Sequence, residues 1–119
     1  MRRGDRLAAQ ATTLDETFTG YEQPIRLLHI YAEAWEPKII AGAHNFIERH
    51  CDIIVVLEVL GEAFRNRKDD SVRAALEYLE GTGRIFCLIR DNRPQISVNE
   101  LMESPLANAA AIPRHLANA

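Results

Sequence analysis

The chain predicts an α/β domain built on a mostly parallel sheet that closes in a C-terminal antiparallel hairpin. Three observations carry that expectation. Residues 25–32 and 53–60 are nearly continuous apolar runs of strand length. Between and after them, apolar residues recur at helical spacing. Finally, Asp91, Asn92, Arg93 and Pro94 form a turn joining two short apolar runs, too brief for a parallel crossover.

Taken in order, residues 1–11 show no periodicity and read as a flexible N-terminus. A polar segment then leads through Gly20 to Pro24. Residues 25–32 are apolar apart from Arg26 and His29, which fits a strand buried on both faces. Pro37 suits a first helical turn, where its missing amide has no intrahelical partner. From there Ile39, Ile40, Ala43, Phe46 and Ile47 form one apolar face, and Arg49 and His50 close a single helix with positive charge at its C-terminal end. The run IIVVLEVL at 53–60 predicts an interior parallel strand ended by Gly61.

Asp69, Asp70 or Ser71 can cap a second helix, whose apolar face is Val72, Ala75, Leu76 and Leu79. Gly81 and Gly83 stop it. Residues 84–90, RIFCLIR, predict a strand, and residues 95–98 a short last strand antiparallel to it. The remainder, SPLANAAAIPRHLANA, has no amphipathic face of useful length. Residues 12–102 are therefore expected to fold as one domain, with 103–119 a flexible tail.

A chain of 119 residues can bury a modest core, and its 47% apolar and 26% charged residues are an ordinary globular balance. A formal net charge of -3 without a dense basic stripe argues against a nucleic-acid partner. Cys51 and Cys87 are too few and too distant for a metal site or disulfide framework, so both are expected as buried thiols of a reduced compartment. His44 and His50 lie six residues apart on the expected helix, a poor spacing for zinc, and no metal is assigned. Arg2 and Arg3 precede no continuous apolar stretch, and no run reaches the roughly 20 residues a membrane helix needs. A cytoplasmic protein without membrane contact is the expectation.

Four segments, Thr13-Leu14-Asp15-Glu16, His29-Ile30-Tyr31-Ala32-Glu33-Ala34, Gly42-Ala43 and Leu57-Glu58-Val59, stand in the frame of a known family. The chain resembles the C-terminal half of FkbM-type O-methyltransferases, over most of its length. Matching family segments read Thr-Leu-Asp-Asp, Lys-Ile-Asp-Val-Glu-Gly, Gly-Ala and Leu-Glu-Val. The resemblance implies a partial class I methyltransferase (Rossmann-like) sheet whose final strand inserts antiparallel. It implies an ancestral methyl transfer from S-adenosylmethionine to an oxygen of a sugar or natural product.

Departures from the family matter. Tyr31 replaces the strand-end aspartate, His29 the lysine and Ala34 the glycine. A phenol of pKa about 10 does not serve as a carboxylate at neutral pH. The resemblance does not reach the family's glycine-rich turn and ribose-binding acid. The glycines of GTGR lead from a helix into a strand, the wrong order for a nucleotide loop. The isolated chain is expected to bind no cofactor and to be inactive alone.

Ligands of open α/β sheets bind beyond the carboxyl ends of the strands. Glu33 and Glu36 are the candidate catalytic residues, with Tyr31, Trp35, Glu58 and Glu62 along a substrate rim. The same glutamates also fit ordinary turn and helix-start positions. Two alternatives remain: an active enzyme completed by a partner chain or by self-association, and a non-catalytic interaction module. Both would use the edge of strand 25–32, through which a homodimer or a partner chain is expected to pair.

Overall fold

The structure, a computed structural model, describes residues 13–18, 20, 25–31 and 35–117. The expected flexible segment 1–11 and the candidate Glu33 lie outside the described residues. The elements are α1 (Leu14–Thr17), β1 (Leu27–Ile30), α2 (Glu36–Ala41), α3 (His44–Arg49), β2 (Ile54–Val59), α4 (Gly61–Asn66), α5 (Ser71–Gly81), β3 (Arg84–Leu88), β4 (Gln95–Ile96), α6 (Val98–Glu103), β5 (Ala107–Pro113) and α7 (Arg114–Ala117). This is an α/β fold with a five-stranded mixed sheet in the order β1-β2-β5-β3-β4.

The expected mostly parallel sheet is corrected by its pairings. β1 and β2 run parallel, whereas β2–β5, β5–β3 and β3–β4 are all antiparallel. β2 and β3 both oppose β5, so β1, β2 and β3 still point the same way. The cause is the segment assigned to a flexible tail: residues 107–113 enter the middle of the sheet as β5. The expected hairpin exists, with Phe86 opposite Ile96 and Cys87 opposite Gln95, but it is not the end of the sheet.

Between β4 and β5 lies a helix where the sequence predicts strand and tail. Ser97 caps α6 through a reciprocal capping box: the Glu100 amide donates to Ser97 Oγ at 3.1 Å, and the Ser97 amide donates to Glu100 Oε1 at 3.0 Å. Val98, Leu101 and Met102 are its buried face. α6 turns the chain back so that Ala107 meets Val59.

The single helix expected after Pro37 is two helices. The amide of Asp15 donates to the Gly42 carbonyl at 3.0 Å, while its carboxylate accepts from the amides of Asn45 (3.2 Å) and Phe46 (2.7 Å). An acid from a distant short helix thus caps the first turn of α3 and stabilises the break. A Cβ at Gly42 would lie 2.8 Å from Thr13 Cγ2, so this docking needs the glycine's missing side chain.

Gly61 likewise does not merely end β2; it begins α4. A Cβ there would collide with the Leu101 carbonyl oxygen and lie 2.5 Å from Met102 Cα. The glycine is what lets α4 and α6 touch backbone to backbone. α5 starts and stops as its sequence predicts, and Gly83 adopts φ +90° just after it.

Burial alternates along β2 although its sequence is apolar throughout: Val55, Leu57 and Val59 are buried, and Ile54, Val56 and Glu58 are only half-buried. On β1, Leu27 and His29 are exposed and Ile30 is buried. Burial on both faces, expected for both strands, is therefore corrected. α2, α4, α5 and α6 contact one another in one layer, and α3 joins it where Tyr78 of α5 donates to the His44 carbonyl at 3.2 Å. The core cluster draws Val55, Leu57, Val59, Phe86, Ala109 and Ala111 from the same side of the sheet. The alanines of β5 bring the helix layer close to the sheet at its centre, compensating for their poor strand propensity.

Candidate functional site

β1, β2 and β3 share a direction, so the segments following them emerge along one rim. Tyr31 and Trp35 follow β1, Leu60 and α4 follow β2, and Ile89 follows β3. β5 runs the other way and contributes its beginning: Asn108 stands opposite Glu58, and the Ile89 amide donates to the Asn108 carbonyl at 3.0 Å. Four large apolar or aromatic side chains are exposed there: Tyr31 at 70%, Trp35 at 59%, Leu106 at 53% and Ile89 at 50%. The ammonium of Lys38 sits 4.4 Å from the centre of the Trp35 ring and partly covers it.

One step beyond the Ile30–Leu57 pair, Tyr31 stands level with Glu58, and the pleat turns Glu58 and Asn108 to the face opposite the helices. This rim unites an acceptor carboxylate, an amide able to donate and accept, a phenol and apolar walls. Such a set can hold a ligand carrying both hydroxyls and apolar surface. Of the residues expected on the substrate rim, the β1–β2 register sets Tyr31 level with Glu58. Glu62 lies half-buried in the first turn of α4, its amide donating to the Ser104 carbonyl at 2.9 Å.

Glu36 is placed differently from a residue that would meet an acceptor. It is 4% exposed, at the start of α2. There it borders a crevice of about 10 Å³ with Leu57, Glu58, Val59, Leu60 and Phe64, so two of the expected site glutamates line one crevice. A space of that size admits about one water. The positive end of α2 favours a carboxylate at this position. Asn108, Leu106 and Ile89 are rim residues that the sequence reading does not single out. The signal that points to two of them is Ser97-Val98-Asn99-Glu100, a helix-start pattern that makes the following apolar run a candidate strand.

A second concavity lies at the other end of the sheet. A groove of about 480 Å³ is lined by Ile47, Glu48, Cys51, Tyr78, Thr82 and Arg84. Arg84 is 1% exposed yet saturated with partners. Its Nε and Nη2 donate to the Ile53 carbonyl (3.1 and 2.9 Å), Nη2 also to the Cys51 carbonyl (3.2 Å), and Nη1 to Thr82 Oγ1 (2.6 Å). Burial pulls the Arg84 pKa down. Tyr78 Oη donates to Glu48 Oε2 at 2.8 Å, and its ring stacks on His44 with centroids 3.7 Å apart. Burial, then the bond to Glu48, pushes the Tyr78 pKa up. The side chains of Tyr78, Thr82 and Arg84 tie loops and helices together here, which gives this groove the character of a structural joint.

Cys87 is buried as expected, whereas Cys51 is exposed because it sits in the turn before β2; both thiols are free. Among the described residues, no group of histidine, cysteine and acidic side chains has metal-binding geometry. No described helix is long and apolar enough to cross a membrane. Comparisons with models of known protein families, with curated proteins and with solved structures find no match to this chain.

Proposed function

We propose that the chain is a methyltransferase-like domain of the FkbM type, contributing the acceptor side of a class I sheet and inactive without a cofactor-binding complement. The single observation that supports this reading is the course of the last strand. β5 enters antiparallel between the co-directional β2 and β3, the kind of insertion the family resemblance implies for a final strand. Methyl transfer would run from S-adenosylmethionine, bound by the complement, to an oxygen of a sugar or natural product at the Tyr31–Glu58–Asn108 rim. A partner chain or self-association along β1 would supply the complement.

The chain's glycines favour this division of labour. Gly81 ends α5 and Gly83 stands between α5 and β3, so both serve the helix end. Gly61 does follow a strand into a helix, but the space above it is filled by the backbone of Leu101 and Met102 and not open to a ligand. Calorimetric titration of the chain with S-adenosylmethionine and S-adenosylhomocysteine tests the proposal. The expected outcome is no saturable heat and no rise in thermal midpoint; micromolar binding accompanied by stabilisation rejects it.

A second reading, a non-catalytic interaction module, is favoured by one observation. β1 pairs on one side only among the described residues, and Leu27 at its start is 58% exposed. A strand edge of this kind offers unpaired amides and carbonyls to another chain.

A further inference from the structure

At the end of the sheet opposite the rim, β5 runs directly into α7, a single turn over Arg114–Ala117. One turn fixes several residues for hardly any internal hydrogen bonding, so its position depends on what it touches elsewhere in the fold. It packs against β5 and β3. The Arg114 amide donates to the Gly83 carbonyl at 3.0 Å, and His115 Nε2 meets Asp52 Oδ1 at 2.8 Å. These bonds tie the end of the central strand to two turns, one before β2 and one before β3. Asp52 and Gly83 adjoin Cys51, Thr82 and Arg84, which line the groove of about 480 Å³ at this end of the sheet.

We infer that α7 is a pH-sensitive latch: a protonated His115 holds the Asp52 carboxylate and keeps the end of β5 closed, and loss of that proton loosens it. The charges around the pair set the sign. The turn before β2 presents the Asp52 carboxylate and the free Cys51 thiol, while His50 of the same turn has its Nδ1 on the Phe46 carbonyl at 2.9 Å. β3 contributes the buried Arg84 guanidinium, which also attracts Asp52 and is held by the Ile53 and Cys51 carbonyls. β5 carries no titratable side chain, and α7 itself adds Arg114.

Two cations therefore oppose a charge on His115, and one carboxylate favours it. The carboxylate prevails because it is in hydrogen-bond contact with the imidazole. A charge-assisted bond is roughly twice as strong as a neutral one, so acidification from about pH 8 to about pH 5.5 favours closing. Carboxylates ordinarily keep their charge throughout that range. Both side chains are more than half exposed, which makes the pair weak on the scale of the whole fold. On a one-turn helix the scale is different: local opening breaks these few ties, whereas global unfolding must also break the core. A pair at the upper end of exposed values shifts such a local equilibrium about five-fold. The latch does not rest on the methyltransferase reading.

Hydrogen exchange of the Arg114 amide, followed by nuclear magnetic resonance in the whole chain, tests the inference. Protection factors, which remove the intrinsic pH dependence of exchange, are expected to be about two- to five-fold higher near pH 5.5 than near pH 8 in the parent. In Asp52→Asn and in His115→Gln, whose side-chain amides do not titrate, they are expected to be equal at the two pH values. The Val55 and Leu57 amides in the interior strand β2 report any change in global stability. An Arg114 amide that is unprotected in the parent, or no better protected at the lower pH, overturns the latch. So does a rise that either variant retains in full, or one that Val55 and Leu57 share.

Discussion

On β2, Val55, Leu57 and Val59 disappear beneath helices, while Ile54 and Val56, equally apolar and one residue out of phase, keep part of their surface in water. Phe86 and Ala111 stand in the same way against Ile85 and Ile112, although Cys87 and Ala110, also out of phase with the core, are buried. Side-chain chemistry does not distinguish the two sets. What distinguishes them is that α2 and α5 have a partner layer in each other and in α4 and α6, all on one side. Hydrophobic residues in a strand thus record which surfaces are to be shielded, and the helices record which are shielded by this chain. Among the described residues, the layer of α2, α4, α5 and α6 shields one of the two sheet faces.

The strongest way to break the comparison uses neighbours on β3. Phe86 is 2% exposed in the core, and Ile85 is half-buried on the other face. Truncation of Phe86 to alanine is expected to cost about 3–5 kcal/mol, against about 1–2 kcal/mol for Ile85→Ala, because only the former leaves a cavity. Urea denaturation of both variants measures this, and equal losses would erase the distinction between the faces.

The covered side can be sharpened at its tightest point. Gly61→Ala places a methyl group against the backbone of Leu101 and Met102, where no side chain can rotate away. A loss of about 1–3 kcal/mol is expected, or displacement of α6. Because α6 delivers β5 to the sheet, hydrogen exchange along β5 should accelerate with that loss. Unchanged protection of β5 would separate its stability from the α4–α6 contact.

A smaller effect is expected at the edge of the helix layer, where Tyr78 joins α3 to α5. Its folded-state pKa is raised above the ordinary value of about 10, first by burial and then by the bond to Glu48. The sign follows: the neutral phenol's contribution is complete below about pH 10 and is lost as pH rises further, when the unfolded chain gives up the proton more readily. Stability measured between about pH 9 and 11 should therefore fall more for the parent than for Tyr78→Phe. Parallel curves would show that the phenol titrates alike in both states.

The rim shows how far local patterns carry and where they stop. Tyr31, Trp35 and Glu58 can be placed together from sequence because they follow or end two apolar runs, and the carboxyl ends of parallel neighbours meet at one edge. Asn108 escapes that reasoning. It sits among alanines, whose strand propensity is low, and reaches Glu58 only after α6 has reversed the chain. Glu36 shows the converse: its position in sequence resembles that of an exposed rim residue, and only packing reveals that it is buried.

By itself, the sequence determined those elements whose signals are local. α5 is set by an apolar stripe with a stop at Gly83, β2 by a β-branched apolar run, and the β3–β4 turn by Asp91-Asn92-Arg93-Pro94. Each depends on interactions among residues near in the chain. Tertiary structure alone decided the break between α2 and α3, the central place of β5 and which sheet face the layer of α2, α4, α5 and α6 covers. Asp15 caps a helix whose first turn lies about 30 positions away. β5 is held by hydrogen bonds from strands on both sides and not by its own preference. The face that helices cover depends on how the layer packs as a whole, a choice that identical Val and Ile side chains on the two sides of a strand cannot encode.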